Sequence, residues 1–323
     1  MKLFRQILQR LNGLQFPREY VCFSREELSP LLHVYLLEGD RIAAEITHQH
    51  FFVGYSPLIF LIPATDGITT GKNIHLLITE TALPLNAKFA AKDALARLSL
   101  ELINQQEMDG KKLLFYRGTI GRHRFLSGFH QWIGRLYNNW FNRKAGNVFL
   151  DNNLYSQVQI AYSLPRTISL VTVGDGALFN LFPTDLHGQP TNSHYVISLR
   201  TGGKALEQVK ATGRILLCEM EASSCKIVYA LGKNHMQPLK NASSFPFSEN
   251  LSPVFGMPVP TGAVLFRELE LKGFFEEGIH TLLLFEISHQ QVLSTNPHTL
   301  AHIHNACASW RQKKGFAGNY LFY

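Results

Sequence analysis

No apolar stretch of this 323-residue chain approaches the roughly 18–20 residues needed to cross a bilayer. The longest, such as Pro57–Pro63 and Leu282–Phe285, have the length of strands. Cysteine is scarce: Cys22, Cys218, Cys225 and Cys307, with no Cys-x-x-Cys among them. That spacing excludes a zinc ribbon and a thioredoxin-like pair, and the four are read as reduced, buried thiols. No Gly-x-Ser-x-Gly elbow occurs, which speaks against an α/β-hydrolase. DGITTGKN at 66–73 falls short of a phosphate-binding P-loop. It has three residues between its glycines instead of four, and Asn instead of Ser or Thr after the lysine. Long charge runs are missing too. The formal charge is +7, but the densest basic stretches are only RQKKG at 311–315 and FNRK at 141–144. A nucleic-acid partner is therefore not expected, whereas a small anionic ligand suits the balance.

What is present is a core's worth of apolar residues, 46% of the chain, enough for one large or two ordinary domains. The N-terminal MKLFRQILQRLNGLQF has Lys2, Arg5 and Arg10 but no continuous apolar centre, so it does not read as a signal peptide. Leu3, Ile7, Leu8 and Leu11 predict a short amphipathic helix there, and a cytoplasmic location is expected. LHVYLLEGD, RIAAEITH, SPLIFLIPA and NIHLLITET read as strands, as does KKLLFYRGTIG. AAKDALARLSLELINQQE at 90–107 has Ala91, Ala94, Leu95, Leu98 and Leu102 at steps of three and four, which predicts a helix.

Residues 129–144 give the clearest helical pattern. Phe129, Trp132, Ile133, Leu136, Tyr137, Trp140 and Phe141 form an apolar stripe, with Arg135, Asn138, Asn139, Asn142 and Arg143 opposite. The preferred reading is a connecting helix packed on a domain, stopped at Ala145-Gly146; a membrane-surface helix is the alternative. The expected organisation is a strand-rich α+β domain over 1–128, this helix over 129–146, and a second strand-rich domain over 147–323.

In that last domain Thr167–Val173, Ala177–Phe182, Tyr195–Leu199, Ile215–Met220, Ala263–Glu270 and His280–Ile287 are predicted strands. Gly203–Ala211 reads as a short helix with Leu206 and Val209 facing in, and 298–313 as a closing helix. Five prolines make 238–260 an irregular excursion. Many short strands with few helices predict a mainly β (α+β) fold, a barrel or sandwich. LLEGDRIAAEITHQH at 36–50 can be laid over VTVGDGALFNLFPTD at 171–185, strand, Gly-Asp turn, strand. If that echo is real, one chain holds two related barrels.

Candidate metal ligands are few. THQH puts His48 and His50 on one face of a predicted strand, and HTLAHIH puts His298 and His302 four apart on the predicted closing helix. Neither has the accompanying carboxylate of a metalloprotease motif, and no metal is expected. Three stretches carry more when taken in order: GDGALFNLFPTDLHG, YVISLRTGGKALEQVKATGRILLCEM and GIHTLLLFEI. Together they resemble the flavin reductase-like family, whose fold is an FMN-binding split β-barrel. The resemblance covers roughly 148–312, through the order of the three segments, Gly213-Arg214-Ile215 and the closing Gly278-Ile279-His280 with Glu286-Ile287. It departs from the family in Phe-Pro-Thr-Asp, where a run of small residues such as Thr-Ala-Ser-Ser is common.

The resemblance implies FMN, or FAD, as cofactor, with NAD(P)H as hydride donor and a small-molecule acceptor. A homodimer is also implied, with an internal pseudo-dimer as the variant suggested by the echo. Asn180, Leu181, Phe182, Pro183 and Thr184 would wall the flavin ring, and Ser198, Arg200, Thr201 and Lys204 would meet its phosphate. Arginine's fork and the amides of Gly202 and Gly203 at a helix start suit that anion. His280 stands either near the flavin or at the start of the last strand as a structural group. Asp185 would repel a phosphate and is read as a turn cap. A non-catalytic flavin- or ligand-binding module on the same barrel is the competing reading.

Overall fold

A computed structural model describes residues 7, 19–64, 71–141, 148–150, 152–295, 298–316, 318 and 320–321. Apart from Ile7, the predicted N-terminal helix lies outside these residues, as do the Ala145-Gly146 stop and most of the 66–73 loop. The chain forms two compact units. The first is built mainly from Ser29–Leu164 and Ile303–Gly318, the second from Cys22–Leu28 and Pro165–His302. Both are mainly β and antiparallel, as the density of short strand patterns predicts.

The first unit is a seven-stranded sheet. Its strands are β1 (His33–Glu38), β2 (Arg41–Glu45), β3 (Phe51–Tyr55), β4 (Leu58–Pro63), β5 (Asn73–Thr79), β6 (Ala94–Met108) and β7 (Lys111–His123). Their order across the sheet is β2-β1-β5-β6-β7-β4-β3. The segment expected to be helical at 90–107 is therefore mostly the long strand β6. Its apolar residues also alternate, with Ala96, Leu98 and Leu100 buried and their neighbours less so. Pairing with β5 and β7 on both sides selects the period of two over the period of 3.6.

Two helices follow, α1 (Gly128–Phe141) and α2 (Asn152–Ala161). The predicted helix at 129–144 is present as α1, but its burial is not the expected stripe. Ile133 and Asn138 are buried, while Phe129, Trp132 and Trp140 are exposed. Asn138 goes in because its side-chain amide donates to the Leu150 carbonyl at 2.7 Å. No helix among the described residues is long and apolar enough to cross a membrane.

The second unit is centred on an eight-stranded sheet: β8 (Ser169–Asp175), β9 (Leu178–Thr184), β10 (His187–Gly188), β11 (His194–Arg200), β12 (Arg214–Met220), β13 (Lys240–Asn241), β14 (Ala263–Glu277) and β15 (His280–Val292). Their order is β10-β11-β15-β14-β12-β8-β9-β13. Helix α3 (Lys204–Thr212) joins β11 to β12, with Leu206 and Val209 facing in as predicted. The sheet is covered on both faces. Val171, Val173, Phe182, Ile215 and Leu217 pack with α3 in one cluster. Their sequence neighbours Leu170, Leu181, Leu216 and Cys218 pack in the other. The 238–260 excursion contains only short strands and 3-10 turns. The closing segment splits: Leu300–His304 is a strand, and only Asn305–Lys313 is helical, as α4. His298 and His302 are therefore not one helical turn apart. His48 and His50 lie in a turn after β2, with the His50 Nδ1 at 2.8 Å from the Ile46 carbonyl. All four cysteines are buried and unpaired as disulfides.

Helix α2 sits close against β7. The Asn153 side chain accepts the Gly121 N–H at 2.6 Å and donates to the Gly121 carbonyl at 2.8 Å. A Cβ on Gly121 would meet the Gln157 backbone, with Cα at 3.0 Å. Gly121→Ala is expected to push α2 off the sheet and to destabilise the protein by about 1–3 kcal/mol. An unchanged thermal midpoint would refute this close packing.

Candidate functional site

Strand β11 ends at Arg200 beside the beginning of β15, and Arg200 pairs with His280 in the ladder. This register brings together residues 80 apart in sequence. The Ser198 hydroxyl lies 3.1 Å from His280 Nδ1, and the Thr201 and Thr281 hydroxyls lie 3.0 Å apart. The chain then turns on Gly202, at φ +74, and enters α3 behind the N-cap Gly203. Glycine is required at Gly202 because left-handed backbone strains any residue with a Cβ. Arg200, Thr201 and Lys204 are exposed at this corner, while Ser198 and His280 are buried. The first N–H groups of a helix lack intrahelical partners, so the corner is rich in donors.

β9 lies far from β11 in sheet order, yet the chain crosses between them at once. Leaving β9 at Thr184, it pairs as β10 with β11, His187 opposite Ile197 and Gly188 opposite Val196. The Ser198 N–H donates to the Leu186 carbonyl at 2.8 Å. That bond ties Leu186, two residues beyond Thr184, to Ser198.

Residues 180–183 are differently placed. Asn180, Leu181 and Phe182 are fully buried. Leu181 and Phe182 point to opposite faces of the sheet, into its two apolar clusters. The Asn180 amide nitrogen donates to Gln208 Oε1 at 2.8 Å and to the Asn234 carbonyl at 3.0 Å. Asn234 in turn donates to the Leu181 carbonyl at 2.8 Å. The Pro183 carbonyl accepts from His235 Nε2 at 2.8 Å, and the His235 ring packs on Phe182. This run is a clamped wall, and its side chains are engaged inside the protein.

The Asp185 side chain, expected to cap a turn, reaches His302 and Arg166. Its carboxylate accepts from His302 Nε2 at 2.8 Å and lies 3.6 Å from Arg166 Nε, while its backbone carbonyl accepts from Arg166 Nη2. His302 Nδ1 is 2.9 Å from the Tyr229 hydroxyl, and Cys22 Sγ donates to that hydroxyl at 3.1 Å. The links run from Cys22 through Tyr229 and His302 to Asp185. A second, half-buried imidazole, His187, donates through Nε2 to the Thr167 carbonyl at 3.1 Å and accepts from the Tyr195 hydroxyl at 2.8 Å. Sequence reasoning missed this interior network. Its members are 117 or more positions apart along the Asp185–His302–Cys22 path, and no local pattern marks them. Among the described residues, no group of three His, Cys, Asp or Glu could hold a metal ion.

Burial sets the charge of the site. It pushes His280 down to about 4 and His187 to about 3; His235 is also lowered by burial. Asp185 opposes the shift at His280 without cancelling it. The pair at Ser198 is therefore neutral near pH 7.

No protein-family model matches the chain, and no curated protein does. Solved structures are similar to part of it. An FMN-binding protein from Thermus thermophilus is 19% identical over 41% of this chain and 77% of its own, at a TM-score of 0.37. The NADH:FAD oxidoreductase SgcE6 of Streptomyces globisporus is 15% identical over 52% and 92%, at 0.41. BorF, the flavin reductase component of a bacterial two-component tryptophan halogenase, is 14% identical over 52% and 99%, also at 0.41.

Two outcomes follow from the buried polar groups. An unfolded chain protonates its histidines near pH 6.5, but folded His280 and His187 take a proton only near 4 and 3. The unfolded state binds more protons in that window, so stability is complete above pH 6.5 and falls as the pH drops toward 4. The denaturant midpoint should decline over that range, less steeply in His280→Gln; a flat profile in the parent protein would contradict the burial. Asp185→Ala removes the carboxylate that faces Arg166, whose side chain is 6% exposed, and His302, and should lower the unfolding free energy by about 3–5 kcal/mol. Equal denaturant midpoints for parent and variant would show that Arg166 does not need the carboxylate.

Proposed function

We propose that the second unit is a flavin-binding split barrel and that the protein is an FMN- or FAD-dependent oxidoreductase taking hydride from NAD(P)H. The observation that carries this reading is the corner where β11 meets β15 and α3. There Arg200, Thr201 and Lys204 surround a helix start on Gly202-Gly203, beside the neutral Ser198–His280 pair. Every group in that set can donate a hydrogen bond, and two are cations, which matches a phosphate dianion. The donor set therefore fits the flavin phosphate.

In this reading Arg200 and Lys204 hold the phosphate, with Thr201 and the first amides of α3. Thr184 and the backbone of Pro183 border the ring, and the buried run Asn180–Phe182 stiffens that border from behind. His280, uncharged, fixes the Ser198 hydroxyl without adding a charge beside the ring. Bound flavin supplies the redox chemistry, accepting hydride and passing electrons to a small-molecule acceptor; the chain binds, orients and excludes water. A binding module without turnover is the second reading, favoured by the inward engagement of the Asn180 amide and Asp185.

Visible absorption of the purified protein with added FMN tests this directly. A bound-flavin spectrum that bleaches anaerobically on NADH or NADPH is expected, with FMN affinity at least tenfold weaker in Arg200→Ala. Flavin that binds but does not bleach selects the binding module. A protein that ignores FMN and FAD refutes the site.

A further inference from the structure

The two units share one strand plan. Read from the β3 edge, the first sheet runs β3-β4-β7-β6-β5-β1-β2; the second runs β10-β11-β15-β14-β12-β8-β9, with β13 added at the edge. Taken in chain order, the seven strands of the first sheet match β8, β9, β10, β11, β12, β14 and β15 one for one. Order alone recurs in unrelated sheets, but register irregularities are far more particular.

The long hairpins agree residue by residue. β6 and β14 both have 15 residues, and β7 and β15 both have 13. A constant offset of 169 converts Met108 into Glu277 and Lys111 into His280. It also converts both irregularities: Ser99/Leu100 becomes Glu268/Leu269, and Leu102/Asn104 becomes Leu271/Gly273. The next ladder has its own single shift, at Ile78/Thr79 opposite Ala94 and at Glu219/Met220 opposite Ala263. Identical residues sit at the matched places, Leu100-Glu101-Leu102 with Leu269-Glu270-Leu271 and Leu113-Leu114 with Leu282-Leu283. Three coincident irregularities at fixed offsets are not expected of independent sheets.

The same register names the first unit's counterparts to the proposed site. Ser198 pairs with Leu282 as Pro63 pairs with Leu113, so Pro63 stands in the place of Ser198. His280 corresponds to Lys111, which is exposed where His280 is buried. Pro183 pairs with Leu170 as Glu45 pairs with Tyr35. Glu45 is held ionised by hydrogen bonds from His33 and Thr47, an unsuitable group beside an anion. The next residue along, Thr184, corresponds to the apolar Ile46. The counterparts of Arg200 and Thr201 lie outside the described residues.

We infer that the chain is a tandem duplicate of one barrel in which only the second copy retains a ligand site, so each chain binds one flavin. This rests on the flavin reading of the Ser198–His280 corner. Equilibrium titration of the full chain with FMN, followed by flavin fluorescence and calorimetry, tests it. One FMN per chain is expected, weakened at least tenfold by Arg200→Ala and unchanged in Lys111→Ala. Two FMN per chain would overturn the inference while leaving the flavin reading intact. One FMN lost in Lys111→Ala but kept in Arg200→Ala would overturn the assignment to the second copy. No FMN or FAD binding at all would remove the flavin reading and this inference together.

Discussion

The fold of each unit depends on a long hairpin that is forced to bend. A 15-residue strand paired flat along its whole length would make a stiff, two-stranded ribbon. Each irregularity inserts an unmatched residue, bends the strand and sharpens its twist. β14 can then pair β12 with one part of its length while running with β15 along nearly all of it. β15, bent with it, pairs β11 through its first residues. The candidate site is a consequence of that geometry, since the beginning of β15 carries His280 to the end of β11.

The second constraint is the double-sided burial of the β8-β9-β12 region. Apolar residues alternate into two clusters, so polar side chains there have to find partners inside the protein. Asn180 is met by Gln208 and Asn234, and Asp185 by His302 and Arg166. These bonds immobilise the 180–185 run from behind. A site bordered by it is therefore held in shape before any ligand arrives, which lowers the ordering cost of binding.

Much of the second unit was legible from the sequence. Its strands fall where β-branched and aromatic runs end on Gly, Asp and Pro, and α3 lies between two such strands with Leu206 and Val209 inward. The strand–turn–strand echo of 36–50 and 171–185 was legible too, and its first strands match in register, with Leu36 opposite Leu76 as Val171 is opposite Leu217. The rest of the repeat was hidden because the offset changes along the chain: α3 and the 238–260 excursion lengthen the second copy. β6 was misread because ALARLSLEL satisfies helical and strand spacing together, and only its neighbours choose between them. The 298–304 stretch failed for a related reason, since its strand is chosen by pairing with Arg166–Thr167.

The sequence by itself determined the class of the protein: mainly β, with few charges, no paired cysteines and a donor-rich Ser-x-Arg-Thr-Gly-Gly corner. Those are local properties, written in spacing and in turn chemistry. Only the tertiary structure decided which strands are neighbours, and with that the Ser198–His280 pair, the Asp185–His302 link and the burial that keeps the site's imidazoles neutral. Each joins residues tens to hundreds of positions apart. Hydrogen bonding and desolvation act through space, so no local pattern along the chain records them.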